Sequence, residues 1–168
     1  MEPSIIDKGQ IMLLGFSFFG DPFRFSGGWS EENEIGRLWN RFMAYYGQHG
    51  ARMKHVTSDQ AMYEVHIQHQ ETETTGEYEV FVGLEVEALE NVPVEMTVKI
   101  LPAVSYAVFT LRGEQITSDW HKMIYQDWMA GSGYQSAHDY GFQRYDQRFK
   151  GLDRIQDSVL DVYVPVKG

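Results

Sequence analysis

The chain has 168 residues, 43% of them apolar, and carries 24 acidic against 14 basic side chains for a formal net charge of −10, with no cysteine. Such a length and composition can bury a core unaided, and the missing thiols exclude disulfides, thiolate metal sites and a cysteine nucleophile. The acidic balance repels phosphate backbones and supplies no basic stripe, which argues against direct DNA or RNA binding.

The N-terminus carries Glu2 where a secretory leader would be basic, and the apolar run 11–19 is broken by Gly15 and too short to span a bilayer. The chain therefore reads as a soluble, cytoplasmic protein with no membrane contact. That run, I-M-L-L-G-F-S-F-F, has strand length and is followed by turn residues at Gly20-Asp21-Pro22 and Ser26-Gly27-Gly28. A helix comes next. Ser30 is its expected N-cap, Glu31, Glu32 and Glu34 suit the dipole of its first turn, and Ile35, Leu38, Trp39, Phe42 and Met43 recur at helical spacing before Gly47 and Gly50 end it.

Two strands are predicted at 61–67 and 77–86, joined by a Thr- and Glu-rich link. In the second, Tyr78, Val80, Val82, Leu84 and Val86 alternate with Glu77, Glu79, Phe81, Gly83 and Glu85, so one face is apolar and the other mixed. Residues 87–94 form a linker, because Asn91-Val92-Pro93 interrupts both periods. A strand at 103–111, a helix at 114–130 and strands at 141–145 and 159–166 follow. Ile116, Trp120, Ile124 and Trp128 step by four along that helix, with Met123 beside them.

Each half thus runs strand, helix, strand, strand. The expected fold is α+β: one domain over 1–168, built of two pseudo-symmetric modules (about 1–90 and 91–168) that share an antiparallel sheet. Both main helices cover one face, and a ligand groove lies at the seam.

This order, with Leu38-Trp39, Val82-Gly83-Leu84-Glu85-Val86, Val92-Pro93, the stretch 102–109 (P-A-V-S-Y-A-V-F), Trp120 through Trp128, Ser132-Gly133-Tyr134, Phe142-Gln143-Arg144-Tyr145 and Val162-Tyr163-Val164-Pro165-Val166, resembles the GyrI-like effector-binding family. That family also supplies the ligand-binding domain of AraC-type and MerR-type regulators. The resemblance implies a small organic ligand in the central groove and no cofactor. It implies three possible uses: binding of a flat or amphipathic drug-like compound in sensing or sequestration, hydrolysis of strained cyclopropane-containing compounds, and inhibition of DNA gyrase through a protein contact. With no helix-turn-helix segment in the sequence, a sensor role needs a partner chain to read DNA. The family often carries an acid in an F-E-x-Y strand motif, and this chain has Gln143 there. An amide neither titrates nor carries charge, which weighs against catalysis and against a preference for cations.

The candidate groove residues are Trp39, Phe81, Glu85, Tyr106, Trp120, Trp128, Tyr134, Gln143, Tyr145 and Tyr163. The tryptophans either stack on a flat ligand or fill the seam between helix and sheet, and the tyrosines pose the same choice. Gly83 within a strand marks a bulge or a close approach. Phe81 and Glu85 share its face, which makes Glu85 the substitute carboxylate if the groove lies there and a surface charge if that face meets water. Alternation puts Gln143 and Tyr145 on one strand face, with Phe142 and Arg144 on the other. His66 and His69 offer no ligand set for a metal, and Gly131-Ser132-Gly133 lacks the spacing of a nucleophile elbow.

Overall fold

In the computed structural model, which describes residues 1–168, the alternating runs pair into one antiparallel sheet of nine strands. These are β1 (Ser4–Lys8), β2 (Ile11–Gly20), β3 (Met62–Ile67), β4 (Tyr78–Val86), β5 (Thr97–Leu101), β6 (Val104–Arg112), β7 (Gln135–Ser136), β8 (Tyr140–Tyr145) and β9 (Val159–Lys167). The spatial order is β1-β6-β9-β8-β3-β4-β2-β5, with β7 added to β9. Helix α1 (Glu34–His49) follows β2, and a second helix, residues 120–132, follows β6. The two halves, β2-α1-β3-β4 and β6-helix-β8-β9, meet where β3 pairs with β8. No helix is long and apolar enough to cross a membrane.

Three short strands lie outside the sequence expectation, and two of them shape the molecule. Ser4 pairs with Val108 and Lys8 with Val104; Ile11 then pairs with Leu101 and Gly15 with Thr97 in the same register. The ladder is interrupted only at 9–10 and 102–103. β1 and β2 are therefore one bent strand, lying along a second bent strand made of β5 and β6. Each half lends its first short strand to the other, so the halves are stitched both at the β3·β8 seam and along this second line. The sheet wraps around itself, burying its inner face, while the helices cover most of the other.

The three cores follow from this wrapping. On the helix side, Leu14, Phe16, Val80, Val82 and Leu84 pack beneath Leu38 and Phe42 of α1, and Ala107, Phe109, Leu111, Val162 and Val164 pack with Ile116 and Ile124 in the second half. The opposite, concave face closes over Leu13, Tyr63, Val65, Phe81, Tyr106, Phe142 and Tyr163. Phe142 and Tyr163 stack there with centroids 4.6 Å apart, and the Tyr106 and Tyr140 hydroxyls hydrogen-bond at 2.7 Å. Gly83 marks a close approach: it pairs with Gly15, where an added Cβ would stand 1.9 Å from the Val82 carbonyl oxygen.

Helix boundaries shift for local reasons. Asn33, not Ser30, caps α1, its Oδ1 accepting the Gly36 N–H at 2.9 Å. The Ser30 hydroxyl instead accepts from Glu32 N–H within the preceding turn. The helix expected at 114–130 divides into a 3₁₀ turn (Gly113–Thr117) and a helix newly capped by Asp119. Its middle, Met123–Trp128, is wound as a π-helix. A strict four-residue spacing of Trp120, Ile124 and Trp128 drifts around an α-helix of 3.6 residues per turn, and the wider winding takes up that drift.

Candidate functional site

Where the halves meet on the helix side, the sheet is left partly uncovered, and a cavity of about 500 Å³ opens there. Its floor comes from β3 (Met62, Glu64, His66) and β8 (Gln143, Tyr145), one wall from α1 (Ile35, Gly36, Trp39, Asn40), and the facing wall from Trp120, Phe149 and Leu152. Its mouth is formed by Phe23, Trp29 and neighbours in the turn before α1. Gly36 permits that turn to sit tightly on the helix, since a Cβ would lie 2.3 Å from the Ser30 carbonyl oxygen. Asn33, which is buried, ties it down by donating from Nδ2 to the Gly28 carbonyl at 2.7 Å.

The walls are rings. Trp39 meets Tyr145 edge to face at 5.2 Å, and Tyr145 meets Phe149 in the same way at 4.9 Å. Beneath them lies Glu64, only 5% exposed. The indole Nε1 of Trp39 donates to its Oε1 at 2.6 Å, and His66 Nε2 stands 2.7 Å from its Oε2. Across the seam Glu64 pairs with Gln143, whose Oε1 accepts from the Tyr145 hydroxyl at 2.6 Å. Burial, reinforced by the Glu64 carboxylate, pushes the Tyr145 phenol well above its ordinary value of 10.0, so it stays a neutral donor. No lysine or arginine lines the cavity. Its one buried charged group is a carboxylate.

Of the ten residues singled out from sequence, the structure brings Trp39, Trp120, Gln143 and Tyr145 together here. The other six lie elsewhere. Phe81, Tyr106 and Tyr163 point to the concave face and are core, because strand side chains alternate and the wrapped sheet buries the side that a flat sheet would leave wet. Glu85 shares that face, where its carboxylate accepts from the Tyr63 hydroxyl; it is neither a groove carboxylate nor a free surface charge. Trp128 lies eight residues further along the second helix than Trp120, away from the seam. It packs edge to face on Phe109 at 5.2 Å and stacks with Tyr134.

Sequence reasoning missed Glu64, Met62, Phe23, Trp29 and Phe149, and weighed His66 only as a metal ligand. A signal for Glu64 existed. It is the one acid within the strand 61–67, and a buried acid needs a reason. The change at Gln143 therefore does not remove the carboxylate from the cavity, because the pseudo-equivalent strand of the first half supplies one.

Two strand-helix-strand-strand halves sharing a wrapped sheet, with a ring-lined hollow at their seam, define the architecture of an effector-binding domain. The chain belongs to the family of integron-associated effector binding proteins, whose model matches residues 5–166. The resemblance drawn from sequence holds at the level of an effector-binding domain related to GyrI-like proteins, while the family itself is this one. The transcriptional regulator BrlR of Pseudomonas aeruginosa is 30% identical over 169 residues, covering 99% of this chain and 56% of that protein. The chain thus spans little more than half the length of that relative. Among solved structures, SAV2435 bound to tetraphenylphosphonium superposes with a TM-score of 0.69 at 14% identity, over 100% of this chain and 95% of that one. An integron cassette protein from the mobile metagenome of Vibrio cholerae gives 0.64, also at 14% identity, over 99% and 96%.

Proposed function

We propose that residues 1–168 act as one ligand-binding domain that holds a hydrophobic organic cation at the seam, for sensing or sequestering drug-like compounds. The observation that carries this reading is the buried Glu64 carboxylate beneath a wall of rings with no compensating lysine or arginine. Apolar walls supply burial, aromatic faces attract positive charge, and a carboxylate held away from water interacts with a cation more strongly than one in solvent. Trp39, Trp120 and Tyr145 would contact the ligand, with Gln143 orienting a polar group on it. The tetraphenylphosphonium carried by one fold neighbour has the chemistry such a hollow suits.

The test is a pair of probes alike in shape and opposite in charge. Tetraphenylphosphonium is expected to quench the tryptophan fluorescence saturably and raise the melting temperature, and tetraphenylborate to do neither. Equal binding of the two ions would overturn the assignment of Glu64 as counter-charge.

A further inference from the structure

The hydrogen bonds around the cavity specify what kind of cation it accepts. Both oxygens of Glu64 are already engaged, Oε1 by the Trp39 indole at 2.6 Å and Oε2 by His66 at 2.7 Å, a separation at which a proton must lie between the two groups. The Glu64 side chain is only 7% exposed. The Gln143 carbonyl is taken by the Tyr145 hydroxyl at 2.6 Å, and the Asn33 carbonyl by the Gly36 N–H at 2.9 Å. Ser30 Oγ accepts from Glu32 N–H at 3.0 Å. The remaining polar side chains of the lining, Glu31 and Asn40, are exposed at the rim. Every side-chain carbonyl or carboxylate oxygen at the floor therefore has a donor already.

We infer that Glu64 works as a shielded charge rather than as a hydrogen-bonding partner, and that the cavity selects cations without N–H groups, such as quaternary ammonium or phosphonium ions, over protonated amines of the same shape. This rests on the counter-charge reading above. A protonated amine entering the hollow gives up water for each N–H and meets floor oxygens that each already hold one donor, so only their second lone pairs and the Tyr145 phenol oxygen are left to receive it. Fewer and less well aimed acceptors than water offers leave part of the cost of its buried donors unmet. A quaternary ion has no such donor. It keeps the attraction of the carboxylate and of the ring faces.

The experiment measures three ligands on the intact protein at neutral pH by tryptophan fluorescence: (2-naphthylmethyl)trimethylammonium, 2-naphthylmethylammonium, and the neutral isostere 2-neopentylnaphthalene. The quaternary ion is expected to bind more tightly than the primary ion by threefold or more, centred on about tenfold, and more tightly than the neutral isostere. A quaternary-to-primary ratio under threefold, or reversed, overturns the inference while leaving the counter-charge reading in place. Neutral isostere matching the quaternary ion would sink that reading and the inference with it. Because quaternary ions also shed water more easily, W39F supplies the second measurement: removing the indole N–H frees Glu64 Oε1, and the ratio is expected to narrow. H66F, which frees Oε2, serves the same purpose if W39F proves unfolded. An unchanged ratio in folded variants would assign the preference to dehydration alone and refute the shielding.

Discussion

The two halves of the sheet share a topology but not a chemistry. Each sets one helix over its own core, and each lends an edge strand to the other. Yet at the seam the first half presents Glu64, whereas the second presents Gln143 directly opposite. The first half's helix is regular, while the second is π-wound in its middle. Backbone repetition creates a hollow, because two helices on a shared sheet leave the line between them uncovered. Side-chain divergence then polarises it. One carboxylate in place of two also avoids the repulsion of like charges in a confined site.

The largest expected effect tests whether the halves are one energetic unit. Phe42, fully buried beneath α1, and Ile124, fully buried beneath the second helix, should each cost several kcal/mol on truncation: about 3–5 for F42A and about 2–5 for I124A. Because the halves are stitched along two lines, each variant should still unfold in urea as one transition. Two resolved transitions would show the halves to be separable.

Moving the charge across the seam comes next. E64Q is expected to weaken tetraphenylphosphonium binding by roughly tenfold to a hundredfold. Adding Q143E should recover most of it, since Tyr145 can donate to a carboxylate as it does to the amide. A double variant no better than E64Q would show that only the first half can hold the charge productively.

A third probe concerns a charged clamp centred on the second half. Asp146 accepts from Arg144 at 3.0 Å and Arg148 at 2.8 Å; Arg148 also reaches Asp161, and Arg144 reaches Asp59 of the first half. Hydrogen bonds from Arg148, with Coulomb attraction from Arg148 and Arg144, hold the Asp146 carboxyl below its ordinary value of 3.8 despite partial burial. Its folded value lies below its unfolded one, so its contribution is complete above pH about 4 and is lost as pH falls through the lower folded value. D146N should therefore lose about 1–3 kcal/mol at neutral pH and show a flatter acid limb in chemical denaturation. A D146N acid limb as steep as the parent's would place the acid sensitivity elsewhere.

The smallest effects lie at the end of the second helix. Gly131 is helical with open space around its Cβ position, and G131A should gain roughly 0.5–1 kcal/mol. Gly133 ends the helix at φ +79°, so G133A should lose about 1 kcal/mol or more. Melting temperatures read both signs.

Much of the element order was legible because helix and strand periods are local. The run 77–86 carries its alternation, and 11–19, 61–67, 103–111 and 159–166 their strand-length apolar character, within a few residues, and the faces of Gln143 and Tyr145 follow from parity alone. What could not be read was which face would be dry. Ser4–Lys8 and Thr97–Leu101 are short and half-exposed, and their partners lie far along the chain. Local sequence thus determined the two halves and the pair of residues that β8 turns toward the helices. The long-range register of β1 and β5 decided that the sheet wraps. Wrapping sent Phe81, Tyr106 and Tyr163 into a third core and left Glu64 beneath the rings, because burial is set by what packs above a face, which no local period records.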